Sequence, residues 1–429
     1  DKRSLILPPL LLGAVVPTFA ADEVDTSAWV CEFCPFETGT SGSVDAGVSS
    51  VSDDSAYLGN GTGYDEEGLY ANLDSRGGRV DGEHRLRWTV EDLGLDSRLV
   101  EVDGGVAGRY SYELNYNELP YRQFFSTSTV FGNAGDGDLQ LPPDWVTAPT
   151  TADFTALEGN LARRAIESDR QNLGLGGRYH ITPTVSASAE YRQRNNEGVR
   201  MIGGSTYTNA SQLPAVFDHR TDEVELGVRY GDGRSFVGIN WYLSDFDNAY
   251  SSLGWQQPFS TAPGAAFPQI ARAPDNRFQQ LRVSGGYAFS EWNTVMSVTA
   301  AIGQIEQDAA FLDYTTNSDL MPGALPMNGL NGEVDTTNIM VSVNSRPAKK
   351  LRLRGTYRYD ERDNNTPVEL YSRVIADTFL SGEEEANSPF SYRRRKLAGS
   401  ADWDVHSMVR LSAGFDFKSH DRSLQEVTN

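Results

Sequence analysis

Polar and apolar residues alternate along much of this chain with a period of two residues. The alternation is clearest at residues 350–361, which read KLRLRGTYRYDE. One side of this segment carries Leu351, Leu353, Gly355, Tyr357 and Tyr359, and the other carries Arg352, Arg354, Thr356, Arg358 and Asp360. Successive side chains of a β-strand point to opposite faces, so the pattern predicts a strand with one apolar and one charged face. A charged face meets water in a soluble sandwich, whereas in an outer-membrane barrel it lines the lumen while the apolar face meets lipid.

The same alternation recurs in pairs of segments from residue 171 onward, and each pair is joined by a tight turn. The predicted turns lie at residues 181–183, 232–233, 290–291, 346–347 and 405–406. Long polar segments separate the pairs, at residues 195–219, 245–276, 306–333 and 361–391. Short turns at one end and long loops at the other are typical of bacterial outer-membrane barrels, in which the short turns are periplasmic and the long loops extracellular.

A soluble propeller or sandwich is the alternative fold, but neither requires short and long connections to alternate so regularly. The sequence therefore predicts an all-β protein, namely a large transmembrane antiparallel β-barrel of the outer-membrane porin type. Outer-membrane lipid is then one of its partners, because the apolar faces of the strands must be covered.

The composition agrees with this fold and argues against a helical membrane protein and against a nucleic-acid-binding protein. Mean hydropathy is −0.45, and the longest nearly apolar run, residues 5–16, is too short to span a bilayer as a helix. Glycine (41 residues) and the aromatics (19 Phe, 19 Tyr and 7 Trp) are plentiful, which suits turns and aromatic girdles. The 37 basic and 59 acidic residues give a formal net charge of −22, which argues against a nucleic-acid partner.

The first residues have the order of a secretory signal. Lys2 and Arg3 precede the apolar run, and small residues around Ala20 precede an acidic start. This order predicts a signal peptide at residues 1–20, a periplasmic leader at residues 21–40 and the barrel at residues 41–429. The chain starts at Asp1 instead of Met and stops soon after a strand-like segment without a terminal aromatic strand. We interpret it as a C-terminally truncated fragment of a longer protein.

Basic residues dominate the face opposite the apolar one. If the apolar face meets lipid, the predicted lumen-facing residues include Lys396 and the arginines Arg178, Arg192, Arg194, Arg229, Arg282, Arg352, Arg354, Arg358, Arg394 and Arg410. Fewer carboxylates share this face, namely Glu190, Glu223, Glu225, Asp360 and Asp416. One interpretation is a hydrated porin wall, since lumen positions are polar in any barrel. The other is a surface that holds an anionic partner, since arginine pairs well with carboxylates.

Cys31 and Cys34 form a CxxC pair in the predicted leader. A c-type haem attachment needs a histidine directly after the second cysteine, and Pro35 stands there, so we expect no covalent haem on this chain. The pair is compatible with a structural disulfide, with a redox-active or assembly-related dithiol, or with two metal ligands. Metal is the weakest of these interpretations, because the remaining ligand candidates are five scattered histidines.

No catalytic signature accompanies these features. The sequence contains neither a nucleophile elbow nor HExxH spacing. The acidic clusters at residues 360–363 and 383–385 lack the alternating oxygen-ligand spacing of a calcium loop, so solvated loop charge explains them best. We therefore expect no enzyme activity, no metal and no cofactor on this chain.

Several short segments along the chain carry a family resemblance. They read WVCEFC at residues 29–34, LGLDSR at 93–98, GG at 104–105 with GRY at 108–110, YNELP at 116–120 and YRYDERDNNTP at 357–367. These segments resemble the MtrB/PioB family of decahaem-associated outer-membrane proteins. The segments span most of the mature chain, and the CxxC leader together with the last segment makes the resemblance fairly specific.

The resemblance implies a barrel with more strands than the pattern shows, which acts as an insulating sheath around a periplasmic multihaem (decahaem) c-type cytochrome. Such barrels often dock a second multihaem cytochrome at the cell surface. Electrons would pass from haem to haem through the barrel, which itself binds none. The predicted function is therefore extracellular electron transfer across the bacterial outer membrane, with a general or anion-favouring diffusion porin as the alternative.

Overall fold

The structure, a computed structural model, describes residues 38–123, 127–132, 137–206, 209–260 and 264–424. Strands account for most of these residues. In chain order they are β1 (Gly39–Val51), β2 (Gly68–Asp81), β3 (His84–Leu93), β4 (Leu99–Val106), β5 (Tyr110–Arg122), β6 (Thr127–Thr129), β7 (Asp138–Leu139), β8 (Ala162–Arg164), β9 (Glu167–Thr182), β10 (Val185–Thr206), β11 (Asn209–Gly231), β12 (Ser235–Asn248), β13 (Ser252–Trp255), β14 (Gln269–Ala271), β15 (Asn276–Phe289), β16 (Thr294–Gln307), β17 (Gly332–Ala348), β18 (Leu351–Asn364), β19 (Leu370–Ile375), β20 (Phe379–Ala386), β21 (Tyr392–His406) and β22 (Val409–Arg422).

Helical structure in the described residues is limited to single turns. These are α1 (Ala56–Gly59), α2 (Leu157–Asn160) and the 3-10 turns Thr151–Asp153 and Ser290–Trp292. None of the helices in this part of the chain has the length and apolar character needed to cross a bilayer.

One continuous antiparallel sheet organises the described chain. It has 15 strands in the order β1-β2-β3-β4-β5-β9-β10-β11-β12-β15-β16-β17-β18-β21-β22. Three small sheets, β14-β13-β7, β19-β20 and β6-β8, lie within the connections. Strands of the main sheet pair with their neighbours along the chain, which is the meander topology of an outer-membrane barrel. The large antiparallel sheet that the sequence predicted is therefore confirmed.

The two ends of this sheet differ in the length of their connections. At the short-turn end, a few residues join successive strands, as between Thr182 and Val185 or between Gly231 and Ser235. At the long-loop end, most connections are longer, as between Asn248 and Asn276, although only two residues separate β10 from β11. The predicted turns at residues 232–233 and 290–291 lie at the short-turn end, and the last two turns fall at residues 349–350 and 407–408, slightly later than predicted.

The prediction of a loop at residues 195–219 is wrong in its secondary structure. β10 and β11 continue as one paired hairpin as far as the Thr206–Asn209 pair. Apolar residues occupy both faces of β11 here, with Leu213 and Ala215 on one side and Pro214 and Val216 on the other, so the period-two signal is lost. Antiparallel pairing is made by backbone groups and does not need an alternating pattern. The predicted start of the barrel at residue 41 lies two residues after the observed start of the first strand, Gly39.

The apolar face of the sheet is exposed. Leu226, Val228, Ile239 and Val283 are each between 42 and 51% exposed although they lie within long strands of the sheet. A contiguous apolar surface of this kind is what a barrel presents to the hydrocarbon of a bilayer.

A cluster of buried apolar residues lies at the long-loop end, where the tip of the β10–β11 hairpin meets the connections. This cluster, called here the loop core, consists of Phe131, Leu139, Leu141, Leu213, Ala215, Leu253 and Trp255. Trp255 is 2% exposed, and a Cβ at Gly204 would lie 2.9 Å from its ring and 2.5 Å from Leu213 Cδ1. Only glycine therefore allows the indole to pack this closely against the tip of the β10–β11 hairpin.

Residues 1–37 lie outside the described part of the chain. They include the predicted signal peptide, most of the predicted leader, Cys31 and Cys34. The predictions for these residues stay predictions.

Candidate functional site

The strand register places all ten of the predicted arginines on one face of the sheet. Residues paired across antiparallel strands point to the same side, and so do residues two apart within a strand. Arg178 pairs with Ser188, Arg192 with Glu223, and Arg282 with Asn240. Further along, Arg358 pairs with Lys396, and Arg354 with Ser400. The same alternation carries the set across the sheet to Arg410, which pairs with Asp404.

Small residues separate the arginines on this polar face. A Cβ at Gly227 would lie 2.8 Å from Ser188 Oγ, and one at Gly238 would lie 3.0 Å from Ser284 Oγ. Two cavities of about 600 and 380 Å³ lie along these positions, and Arg178 lines both of them. The polar face is therefore a wall with room between its charged side chains, as a surface that receives another molecule requires.

Half of the arginines are paired with carboxylates. Arg194 Nη2 lies 3.3 Å from Glu223 Oε2, Arg358 Nε lies 2.9 Å from Asp360 Oδ2, and Arg410 Nε lies 2.6 Å from Asp404 Oδ1. Arg192 pairs with Glu190 on its own strand, and Arg352 Nη2 lies 4.0 Å from Asp404 Oδ2. These pairs are partly exposed, so they fix side-chain positions more than they stabilise the fold.

The other five arginines have no carboxylate within ion-pair distance among the described residues; they are Arg178, Arg229, Arg282, Arg354 and Arg394. Three of them make weaker contacts. Arg282 Nη2 donates to Gln280 Oε1 at 3.2 Å, Arg229 lies 5.9 Å from the Phe236 ring, and Arg394 Nε lies 3.3 Å from His420 Nε2. This half of the set leaves guanidinium donors available, which suits a partner that carries carboxylates.

The opposite face becomes polar towards the long-loop end, a feature that the sequence reasoning missed. Asp222 accepts hydrogen bonds from Tyr191 Oη at 2.6 Å and Arg220 Nε at 2.7 Å. On another strand, Glu361 Oε2 accepts from Tyr359 Oη at 2.6 Å. A tyrosine next to a charged residue marks the level at which an outer-membrane strand leaves the hydrocarbon. The sequence contained a signal for this change, because the apolar alternation of β11 stops on the N-terminal side of Val224.

Fold and surface together define this chain as an outer-membrane β-barrel protein. A family model described as outer membrane beta-barrel porin, MtrB/PioB, matches residues 50–429. The chain therefore belongs to the MtrB/PioB family, and its location is the outer membrane. This is a family of porin-like barrel proteins and not of enzymes.

A curated relative is the outer membrane protein MtrB of Shewanella baltica (strain OS185). It is 29% identical over 411 residues, which cover 94% of this chain and 57% of the relative. The chain thus spans just over half the length of that relative.

Solved structures of outer-membrane proteins are similar to this chain at lower sequence identity. OmpT of Vibrio cholerae matches with a TM-score of 0.30 and 10% identity, over 87% of this chain and 96% of its own. The copper transporter OprC matches with a TM-score of 0.36 and 11% identity, over 89% of this chain and 57% of its own. Likenesses at these TM-scores carry no conclusion about function.

Within the described residues, no three histidine, cysteine, aspartate or glutamate side chains are grouped as a metal site requires. The expectation that haem is carried by a partner and not by this chain stays a prediction, since residues 1–37 lie outside the described part.

Proposed function

We propose that this chain forms the wall of an outer-membrane sheath that seats a periplasmic multihaem c-type cytochrome against its arginine-rich face. The cytochrome would conduct electrons across the membrane, and the barrel would separate its haems from lipid. A second multihaem cytochrome at the cell surface would accept or supply the electrons at the long-loop end.

The observation that carries this proposal is the set of five arginines without carboxylate partners on the polar face. Haem propionates and surface carboxylates are planar anions, and a guanidinium binds such groups through two parallel hydrogen bonds. The partner class comes from the family resemblance, since a basic face alone does not distinguish one anionic partner from another.

The lipid-facing side supports the insulating part of the proposal. Val228, Ile239 and Val283 are apolar side chains on the outside of the sheet. The ion pairs of Arg194 and Arg358 and the five unpaired arginines lie on the other side. A single layer of strands thus separates hydrocarbon from a charged surface, which is the arrangement that a cytochrome sheath needs.

Electron transfer across liposomes tests the proposal. The protein is purified from outer membranes and reconstituted with or without its cytochrome around an entrapped oxidant dye, and a membrane-impermeant reductant is added outside. We expect dye reduction only when barrel and cytochrome are both present. Equal dye reduction by the barrel alone would show that the reductant diffuses through it, and the sheath function would be wrong.

An anion-favouring diffusion porin is the second candidate, because the same unpaired arginines would attract small anions. Planar-bilayer conductance of the cytochrome-free protein separates the two functions. Large, anion-selective conductance that persists after the cytochrome is added back favours the porin, whereas conductance that the cytochrome blocks favours the sheath.

A further inference from the structure

A cavity of about 660 Å³ lies among the connections at the long-loop end, apart from the arginine-rich face. The segment after β14, the β16–β17 connection and β19 contribute its walls. This volume is typical of pockets that bind drug-sized organic molecules.

Most of the lining is apolar, and part of it is aromatic. Phe311, Leu312, Leu325 and Leu330 all line the cavity. The rings of Phe311 and Tyr371 meet edge to face, with centroids 5.8 Å apart and an interplanar angle of 90°. Tyr314 is held in place because its hydroxyl oxygen accepts a hydrogen bond from the Ser372 amide at 3.2 Å. Such walls fit a flat apolar body.

Two polar atoms of lining residues lack partners. Tyr371 Oη and Gln307 Oε1 are both buried, and neither has a hydrogen-bond partner among the described residues. Burial raises the pKa of Tyr371, and the Glu369 carboxylate adds to this, so the hydroxyl stays protonated and can donate. Buried polar groups are normally hydrogen-bonded, so this donor and this acceptor on one cavity suit a molecule that offers them an acceptor and a donor.

Arg272 lines the cavity and has no carboxylate within ion-pair distance among the residues that the structure describes. Arg272 donates through Nη2 to Val216 O at 3.0 Å, which leaves its other donors available. Burial lowers the pKa of Arg272, and the positive charge of Arg200 lowers it further. The acidic residue on the lining, Asp275, accepts from the Asn248 amide at 2.8 Å. A negative group on a ligand would relieve the repulsion between the two arginines.

We propose that this cavity is a binding site for a small aromatic anion, with its ring against Phe311 and Tyr371 and its negative group at Arg272. The unpartnered hydroxyl of Tyr371 donates to the ligand, and Gln307 Oε1 accepts from a ligand hydroxyl or amine where one is present. The site is independent of the seated cytochrome.

Equilibrium dialysis against the intact protein in nanodiscs tests this site, with 2-naphthoate as the probe and 2-naphthamide as its uncharged analogue of the same shape. We expect saturable binding of naphthoate and about tenfold weaker binding of the amide, because a charge-assisted hydrogen bond is lost. The variant Arg272→Gln should weaken naphthoate binding about tenfold and remove the preference over the amide.

Two further variants control this measurement. Tyr371→Phe removes only the unpartnered hydroxyl and should weaken both probes while the strand content measured by circular dichroism is unchanged. Arg346→Gln, an exposed arginine at the short-turn end, should leave binding unaltered. The proposal would be overturned if naphthoate did not bind saturably to the wild-type protein. It would also be overturned if wild type, like Arg272→Gln, bound naphthoate and the amide equally well.

Discussion

Arg194 Nη2 and Glu223 Oε2 lie 3.3 Å apart on neighbouring strands of the polar face. Arg178 lies on the same face, on the strand next to that of Arg194, and has no such partner among the described residues. The chain therefore neutralises some of its arginines and leaves others available. A wall built only for hydration would not need this division, because every arginine could be solvated equally. The division is consistent with a partner that supplies the missing carboxylates.

Replacing unpaired arginines should release the cytochrome. We expect the triple variant Arg178→Gln, Arg229→Gln and Arg282→Gln to retain about one tenth of the cytochrome that the wild-type barrel retains. Each lost charge-assisted contact weakens the binding of the cytochrome. Haem absorbance after gentle purification measures the retention. The control is Arg395→Gln, whose residue pairs with Tyr359 and so lies on the opposite face. Equal losses in both variants would contradict a specific role for the arginine-rich face.

A new charge should destabilise the barrel much more on one face of β15 than on the other. Val283 is 43% exposed on the apolar face, and Ser284 follows it on the polar face. We expect Val283→Arg to destabilise the barrel by about 2–4 kcal/mol, the typical penalty at the centre of the bilayer. Ser284→Arg should cost much less, since its side chain meets water. Urea unfolding in lipid vesicles measures both, and similar costs would mean that the apolar face does not meet lipid.

The loop core should control the order of the long loops without affecting the sheet. Trp255 is 2% exposed, so we expect Trp255→Ala to destabilise the loop core by about 3–5 kcal/mol. Limited proteolysis should then cleave the loops faster while the strand content stays the same. Trp292→Ala is the matched control, because Trp292 is 62% exposed at the short-turn end. Loops that resist protease equally in both variants would show that Trp255 does not hold them.

The turn at Asp232 should make a pH-dependent contribution to stability. Hydrogen bonds from the backbone of Ser235 and Arg234, and then from the Ser235 hydroxyl, hold the pKa of Asp232 well below its usual range. Because the pKa of this carboxyl is lower in the folded state, the ionised carboxylate stabilises the fold at pH values above its unfolded-state pKa of about 4. This stabilisation is lost as the pH falls from about 4 towards the folded-state pKa. Asp232→Asn should therefore lower the urea midpoint at pH 7 and approach wild type as the pH is lowered.

Asp308→Asn, an exposed position after β16, is the control for this pH dependence. A midpoint difference between Asp232→Asn and wild type that stayed constant from pH 7 to pH 3 would show that the Asp232 carboxylate does not carry the effect.

Strands with one apolar face could be predicted from the sequence, and those without one could not. Val224, Leu226 and Val228 alternate with charged or small residues, so β11 was found near the short-turn end. β2 (Gly68–Asp81) was missed because the apolar alternation of Leu69, Ala71 and Leu73 stops after three positions, and glycine and polar residues occupy both faces at residues 74–79. Its position follows from the pairing of Gly39 with Val80 and of Asp81 with His84, which no local pattern reveals.

The candidate surface was predicted better than the loops. The period of two determines which face an arginine occupies, so the set from Arg178 to Arg410 could be assigned to one face from the alternation alone. The pairing of Arg194 with Glu223 depends on register between strands, and the burial of Trp255 against Leu213 depends on contacts between distant loops. Neither type of contact leaves a periodic signal in the sequence.

The haem-to-barrel ratio of the protein purified from outer membranes in mild detergent is the most direct test of the central claim. We expect a c-type multihaem cytochrome to co-purify at about one molecule per barrel, and to dissociate as salt screens the arginine contacts. A barrel that is free of haem under the gentlest conditions, with the cytochrome present in the same membranes, would contradict the sheath function.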